Sequence, residues 1–412
     1  MSRKMGKMIA LLFLGMLLVT SPGLGGCGGD EGASVSEVKF GWLWDVTGRS
    51  ALGITQMFEG MEDYLRKVSE EDPIPGTRIR LVTYDTHSDT GRVPVGYVWL
   101  KGQDVHLMSA SPQDCELLRA RFEVDEIPFF ATATVGSLLD CEWLVSMYGP
   151  VEGEIESLME WIMSNWENYP TKPKIGFVAL SGVPFFEAQL DTVEAMCQEY
   201  PDKFDLIGVE MAPTTTTAWA GEILRLADAD FIVPGLAGPP LASFVKEARQ
   251  RGYDGRLIGP EESFWGTWEF IKAGVPAEDL DGILVASYSP WWDDDVAFVR
   301  EFREYTEKYR SSIEAESRYL NVGPINGWAM GMMLVDAVRT AVEEVGAENV
   351  DSDAVLDGFR NMDNTVDGWG NPWCLTGDLN CFVRTVRMYE YEASEDRWIA
   401  QGNWCTPGLL ES

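Results

Sequence analysis

The chain has 412 residues, 45% of them hydrophobic, so it is long enough to bury two substantial cores. Its formal net charge of -34 repels phosphate backbones, which argues against nucleic acid as a partner. Only two histidines occur, His87 and His106, and there is no metal-binding, phosphate-loop or dinucleotide motif. The sequence therefore predicts no metal and no cofactor.

The first 36 residues have the pattern of an export signal. A basic start precedes the apolar run Met8 to Thr20, which is too short for an ordinary membrane span. Leu24 to Cys27 then resembles the lipobox of bacterial lipoproteins. The resemblance implies a signal peptide over residues 1–26, lipid attachment to the Cys27 sulfur and a tether over residues 27–36. The alternative is an ordinary secretory signal with an incidental cysteine. The expected location is the periplasm or the outer face of the cytoplasmic membrane.

Residues 37–148 alternate between predicted strands and helices, which we take as the first part of lobe 1. The predicted strands are Val38 to Trp44, Ile79 to Tyr84, Val105 to Met108 and Phe129 to Ala131. Short strand–helix connections favour an α/β fold with a parallel sheet covered on both faces. Ser111 precedes Pro112 and is predicted to cap the helix that follows.

Tyr148-Gly149-Pro150 interrupts this pattern, and a second alternation over residues 149–288 predicts lobe 2. A helix is predicted there from Trp265 to Lys272. Residues 289–368 contain too few helices for a domain and are expected to return to lobe 1. Residues 369–412 are expected to cross once more, with one strand from Phe382 to Tyr391, and to lie mainly in lobe 2. Three crossings predict a hinge with a cleft between the lobes.

Glu261 is the first candidate ligand-binding residue. Gly259 and Pro260 end a short apolar strand, and the carboxylate follows immediately. In sheets covered by helices, ligands bind just beyond the strand ends. We therefore expect Glu261 to face the ammonium of a small zwitterion. The alternative is a solvated acid at a helix start.

The carboxylate of the same ligand has candidate partners in lobe 1. A helix beginning after Ser111 offers free backbone N–H groups and the positive end of a dipole. Thr132 and Thr134 add hydroxyl groups at a neighbouring strand end. The alternatives are a plain helix cap for Ser111 and a solvated turn for the two threonines.

A series of short segments carries a resemblance to a known family, and each follows a predicted strand. They are Asp45-Val46-Thr47-Gly48, Tyr84-Asp85, Ser109-Ala110-Ser111, Phe130-Ala131-Thr132-Ala133-Thr134 and Ile258-Gly259-Pro260-Glu261. From Val38 to about Trp404 the chain resembles type I periplasmic binding proteins of the branched-chain amino acid and amide class, the substrate-binding subunits of ABC importers.

The resemblance implies two Rossmann-like lobes with parallel sheets joined by a three-crossover hinge. It implies that the ligand carboxylate meets the Ser111 loop, the Thr132 backbone and the Thr134 hydroxyl, and that the ammonium meets Glu261. The implied partners are a small-molecule ligand, permease subunits and, through the lipid, a membrane. The implied function is capture of a branched-chain or other amino acid by closure, and no enzymatic activity.

The sequence departs from the family pattern in lobe 2. Phe185 stands where the family usually has a tyrosine, and Ala237 stands where an aromatic residue often lines the lobe. Trp44 and Ser109 complete the candidate ligand-binding residues. Several large aromatic residues near predicted cleft loops suggest a cleft for a larger side chain, with core packing as the alternative. They are Trp42, Trp44, Phe264, Trp265, Trp291 and Trp292.

Six cysteines follow Cys27, and an even number in an exported protein predicts disulfides. Cys374 and Cys381 flank a turn and form the most plausible pair, and Cys115 with Cys141 is the next. Buried free thiols are the alternative.

Three other functions remain open at this stage. The first is a receptor for an amide, a urea or an aromatic acid, in which Glu261 accepts N–H groups of a neutral ligand. The second is a sensory ligand-binding protein without transport. The third is an enzyme of the cell envelope with two carboxylates at glycosidase spacing, although no activated nucleophile is apparent.

Overall fold

The computed structural model describes residues 35–410, except 49, 50, 133, 169 and 376–378. The predicted signal peptide and the predicted lipidation site at Cys27 therefore lie outside the described residues. None of the described helices is both long enough and apolar enough to cross a lipid bilayer.

The strands alternate with helices through most of the chain, as the apolar periodicity predicts. The strands are β1 Ser36–Trp44, β2 Thr77–Asp85, β3 Leu107–Ala110, β4 Phe129–Ala131, β5 Leu144–Tyr148, β6 Lys174–Leu180, β7 Asp205–Ala212, β8 Phe231–Gly235, β9 Arg256–Pro260, β10 Leu284–Ser287, β11 Asp363–Asn364, β12 Trp373–Cys374, β13 Cys381–Val383, β14 Val386–Glu392 and β15 Arg397–Cys405.

The α-helices connect these strands and cover the sheets. They are α1 Ala51–Glu71, α2 Val93–Lys101, α3 Pro112–Asp125, α4 Val151–Asn165, α5 Pro184–Glu199, α6 Ala220–Arg225, α7 Gly238–Gln250, α8 Glu261–Phe264, α9 Trp268–Gly274, α10 Ala297–Tyr309, α11 Ser312–Arg318, α12 Gly323–Val345 and α13 Ser352–Arg360.

Two sheets form the two lobes, which confirms the predicted fold class. The lobe 1 sheet has the order β13-β5-β4-β3-β1-β2, and all its paired strands are parallel. The lobe 2 sheet has the order β15-β14-β10-β9-β8-β6-β7. Its strands β14 and β15 are antiparallel additions at one edge, so this sheet is only mostly parallel.

The returning segment packs against lobe 1 through α12, which lies directly on α1. A Cβ atom at Gly327 would lie 1.8 Å from the Met57 carbonyl oxygen, and one at Gly60 would lie 2.3 Å from the Pro324 carbonyl oxygen. Glycine at both positions lets the two helix backbones touch. This contact anchors the helix that carries Asn326 toward the cleft.

The first two crossings between the lobes pack on each other. The Tyr148 and Tyr288 rings stack with centroids 5.7 Å apart, and the Tyr288 hydroxyl donates to the Pro150 carbonyl at 2.9 Å. Both residues are fully buried. The hinge is therefore a packed aromatic layer with its polar atoms satisfied.

The predicted single strand Phe382 to Tyr391 is wrong, because the third crossing divides it. β13 belongs to lobe 1 and β14 to lobe 2. Between them, the N–H groups of Arg384 and Thr385 donate to Asn371 Oδ1 at 2.9 and 3.2 Å instead of to a neighbouring strand. All three residues of β13 are buried, whereas β14 mixes buried and half-buried residues, so the sequence of the run does not mark the crossing.

The predicted helix Trp265 to Lys272 starts three residues too early, because the chain forms two short helices, α8 and α9, with a break between them. At the break, a Cβ atom on Gly266 would lie 2.5 Å from the Glu262 carbonyl oxygen. The Thr267 hydroxyl accepts the Gly238 N–H at 2.7 Å and joins the break to the start of α7. This turn holds α8, and with it Glu261, at the end of β9.

The six described cysteines are free thiols. The disulfides predicted for Cys374 with Cys381 and for Cys115 with Cys141 are therefore not formed in this structure. Cys115 and Cys141 are buried, and each thiol has an oxygen acceptor, the Ala110 carbonyl and the Glu123 carboxylate. The turn between Cys374 and Cys381 lies outside the described residues.

Candidate functional site

The candidate residues lie at the carboxyl ends of strands that are neighbours in each sheet. In lobe 1, Ser111 follows β3 and Thr132 follows β4. In lobe 2, Ala237 follows β8 and Glu261 follows β9. Because parallel strands end at the same edge, each sheet collects its candidates at one edge.

Glu261 is fully buried and begins α8 directly after Pro260. Its Oε2 accepts hydrogen bonds from the Ser287 hydroxyl, from the Ser289 hydroxyl at 2.8 Å and from the Ser289 N–H at 3.2 Å. Its Oε1 accepts from Asn326 Nδ2 at 3.2 Å. These donors are neutral, and they come from the second crossing and from the returning helix α12. Glu261 is therefore joined to both lobes.

Burial raises the pKa of Glu261, and the hydrogen bonds from Ser287, Ser289 and Asn326 act in the opposite direction. Oε2 already accepts three hydrogen bonds, whereas Oε1 accepts one from Asn326, so Oε1 is the oxygen that can accept another donor. The site can thus stabilise a positive group that brings N–H donors to Oε1.

Two further glutamates lie beside Glu261. The Glu261 N–H donates to Oε1 of Glu154, a fully buried residue in the first turn of α4. Burial raises the pKa of Glu154 well above its usual range, and the charges of Glu262 and Glu261 raise it further. Burial and the Glu261 charge raise the pKa of Glu262 to about 8. Burial therefore favours the protonated forms of Glu154 and Glu262.

The start of α3 carries an acid of its own. The Ser111 hydroxyl donates to Asp114 Oδ2 at 2.7 Å and accepts the Asp114 N–H at 3.3 Å. Burial raises the pKa of Asp114, and the nearby carboxylate of Asp45 adds to this effect. Ser111 is thus the cap of α3 and is hydrogen-bonded to Asp114. Asp114 was not among the candidates identified from the sequence.

The other lobe 1 candidates make contacts within the fold. The Trp44 Nε1 donates to the Ser109 hydroxyl at 2.9 Å, and both residues are buried at the ends of β1 and β3. The Thr132 carbonyl accepts the Tyr148 N–H at 3.2 Å. Thr134 is fully buried, and its hydroxyl donates to the Val135 carbonyl at 3.3 Å. The structure thus joins Trp44 to Ser109, and the two threonines to the first crossing.

In lobe 2, Phe185 lies in the first turn of α5 and contacts Phe186 edge to face at 6.1 Å. Ala237 precedes α7 and is half-buried. A groove of about 580 Å³ between the lobes has Val135 and Ser137 on one side and Pro184 on the other. The groove therefore runs along α5, from Pro184 to Glu199.

Most of the aromatic residues assigned to the cleft form core contacts instead. Trp265 is fully buried and lies 4.4 Å from Trp291 and 4.9 Å from Tyr389, measured between ring centroids. Trp292 stacks on Phe302 at 4.6 Å. The suggestion of an aromatic-lined cleft is therefore wrong for these residues. They follow strand ends, but their rings pack under the antiparallel edge of lobe 2 and against α10.

The lobes also contact each other away from Glu261. The Gly136 N–H of lobe 1 donates to Glu152 Oε1 of α4 at 2.9 Å. On the returning segment, Asn321 Nδ2 donates to the Gly266 carbonyl at 3.3 Å. The geometry is that of two lobes in contact around a buried acidic site.

A family model for periplasmic binding proteins matches residues 37–396. The chain belongs to the periplasmic binding protein family. As a member of a family of transport substrate-binding proteins, it is not an enzyme. A search of curated protein sequences found no match.

Solved structures share the fold of this periplasmic binding protein at low sequence identity. A branched-chain amino acid ABC transporter protein from Thermus thermophilus with bound valine has a TM-score of 0.78 and 16% identity, covering 92% of this chain and 98% of its own. A fatty acid ABC transporter substrate-binding protein from Thermomonospora curvata has a TM-score of 0.76 and 18% identity, covering 91% and 94%. The isoleucine complex of LivJ from Streptococcus pneumoniae has a TM-score of 0.72 and 14% identity, covering 90% and 100%.

Several residues around Glu261 in this periplasmic binding protein could not be identified from the sequence. Glu154 and Asn326 are far from Glu261 in sequence, and no local motif marks them. Ser287 and Ser289 lie at the boundary between residues 149–288 and 289–368, and the sequence indicated no role for either of them. Asp114 was detectable, because a serine followed three residues later by an acid is a helix-capping pattern.

Proposed function

We propose that this chain is the extracytoplasmic substrate-binding subunit of an ABC importer and captures a small solute that carries an amino group. The family assignment supports a binding role. Two proteins with the same fold have been solved with bound valine and with bound isoleucine, which supports an amino acid or a related amine as the ligand class.

The observation that carries the proposal is the environment of Glu261. This carboxyl is fully buried at the end of β9, and its hydrogen-bond donors are neutral. Burying a carboxylate without a positive partner is costly. An ammonium group of the ligand would supply that partner and would be held by a charge-assisted hydrogen bond.

Closure of the lobes supplies the mechanism. Glu261 belongs to lobe 2, and its partner Asn326 belongs to the helix that returns to lobe 1. A ligand that binds Glu261 while the lobes are together binds the closed form better than the open form. It therefore shifts the balance toward closure by its difference in affinity for the two forms.

Mass spectrometry of solutes that copurify with the lipid-free protein tests the proposal. We expect a small molecule with a primary amine. Recovery of an amide or a urea would instead favour the alternative in which Glu261 accepts N–H groups from a neutral ligand. A fatty acid or another solute without N–H groups would contradict the role of Glu261.

We also propose that the Cys27 sulfur carries a lipid that holds the protein at the membrane, since the preceding residues resemble a lipobox. We expect Cys27→Ser to move the protein from the membrane fraction to the soluble fraction, and the intact mass of the wild type to include a lipid on a chain that starts at Cys27. A wild-type protein without added mass would exclude the anchor.

A further inference from the structure

We propose that the ligand is a cation without a carboxylate, an alkyl amine or guanidine, held between Asp114 of lobe 1 and the carboxyl groups of Glu154, Glu261 and Glu262 in lobe 2. This inference rests on the proposed function, in which the ligand lies between the lobes, and it narrows the ligand class.

Few hydrogen-bond donors are free at the start of α3. Pro112 has no N–H, and the Asp114 and Cys115 N–H groups donate to the Ser111 carbonyl at 3.0 and 2.9 Å. The Ser111 hydroxyl donates to Asp114 Oδ2. The first turn therefore offers an anion little beyond the Gln113 N–H. A helix start that binds a carboxylate needs several free donors.

The start of α3 also carries a carboxyl group, that of Asp114. The Asp114 side chain is bonded to Ser111, so its carboxyl lies at the loop where the resemblance places the ligand carboxylate. Asp114 is only 8% exposed, and the carboxylate of Asp45 lies close enough to raise its pKa. A ligand carboxylate would add another negative group to a desolvated carboxyl. A ligand cation would relieve this repulsion instead.

In lobe 2, the buried carboxyl groups of Glu154 and Glu262 provide support that does not depend on lobe 1. The Oε2 atoms of Glu154 and Glu262 are buried and, within the described part of the chain, accept no hydrogen bond from an N–H group or a hydroxyl group. The two carboxyl groups interact with each other. Among the described residues, the groups with the largest effects on the pKa of Glu154, Glu261 and Glu262 include no lysine or arginine. Buried acceptors without donors are costly, and an amine or guanidine brings several N–H groups.

In the proposed binding mode the ligand lies between the strand ends of the two lobes, and it would meet carboxyl groups on both sides. Asp114 lies at the end of β3, and Glu261 and Glu262 lie at the end of β9. A ligand with a positive group at each end would satisfy both lobes. An amino acid would satisfy only lobe 2.

Matched ligands that differ only in the carboxylate test the inference. We would titrate ligand-free protein with 1,5-diaminopentane and lysine, and with 3-methylbutylamine and leucine, in a calorimeter. At least one amine is expected to bind about tenfold or more tightly than its amino acid. Asp114→Asn is expected to remove most of this preference, because it removes the lobe 1 charge. Asp140→Asn, at a position with 78% side-chain exposure in the same lobe, is the control and should retain the preference.

The outcomes separate this inference from the proposed function. If leucine or lysine binds more tightly than its matched amine and Glu261→Gln abolishes that binding, the proposed function stands and the cation inference is overturned. If none of the four compounds binds, the cation inference is overturned. If in addition Glu261→Gln leaves the affinity for the copurifying solute unchanged, the role of Glu261 is overturned as well. Thermal unfolding of Asp114→Asn confirms that a loss of preference reflects the site and not the fold.

Discussion

Replacing Glu261 with glutamine is expected to weaken ligand binding by roughly tens- to thousands-fold while the protein stays folded. Glutamine keeps the length of the side chain and one acceptor oxygen, but it removes the charge that would hold the ligand ammonium. Losing one partner of a buried charge pair costs about 2–5 kcal/mol, and about 1.4 kcal/mol corresponds to one decade in affinity. Isothermal titration calorimetry with the copurifying solute measures the change.

The control for this experiment is Glu167→Gln, which makes the same charge change at an exposed position of lobe 2 and should bind as the wild type does. Glu261→Ala is a second variant, which also removes the acceptor oxygens for Ser287, Ser289 and Asn326. Wild-type affinity in Glu261→Gln, with an unchanged circular dichroism spectrum, would remove Glu261 from the site.

The ligand-free protein is expected to become less stable as the pH rises from about 5 to about 8. The pKa of Glu262 rises from 4.5 to about 8 on folding because of burial and the Glu261 charge. Below about 4.5 this carboxyl is protonated in both states. Between about 4.5 and 8 only the unfolded chain loses the proton, so each pH unit costs up to about 1.4 kcal/mol for this group. Burial shifts the pKa of Glu154 in the same direction.

Glu262→Gln isolates this contribution. Because glutamine cannot ionise, the variant should unfold at a higher temperature than the wild type at pH 8, and its melting temperature should depend less on pH between 5 and 8. Glu167→Gln again controls for net charge. Equal pH slopes for Glu262→Gln and wild type in thermal unfolding would show that Glu262 does not retain a proton in the folded protein.

The position of Glu261 follows from local sequence. Gly259 and Pro260 end an apolar run, and a carboxylate after such a run must lie at a strand end. The structure has β9 ending at Pro260 and α8 beginning at Glu261. The start of α3 after Ser111 was equally accessible, because proline and a capping serine restrict the backbone within one turn.

Errors arose where distant residues select the structure. The run from Phe382 to Tyr391 has a continuous alternating pattern, yet Asn371 takes the backbone N–H groups at its centre and divides it between two sheets. Trp265 follows a strand end, but Trp291 and Tyr389 surround it in the core. The burial of an aromatic residue depends on such partners, and its own segment does not reveal them.

Residue order alone was enough for the alternation of strands and helices, the two lobes with their returning segment, and the acid at the end of β9, because backbone preferences and apolar periodicity act over a few residues. The identity of the groups that meet that acid came from the three-dimensional arrangement. Glu154 is 107 residues and Asn326 is 65 residues from Glu261 in sequence. They contact Glu261 only because the chain crosses three times between the two lobes. Strand order and chain crossings set these encounters, so no local pattern could place Glu154 or Asn326 beside Glu261.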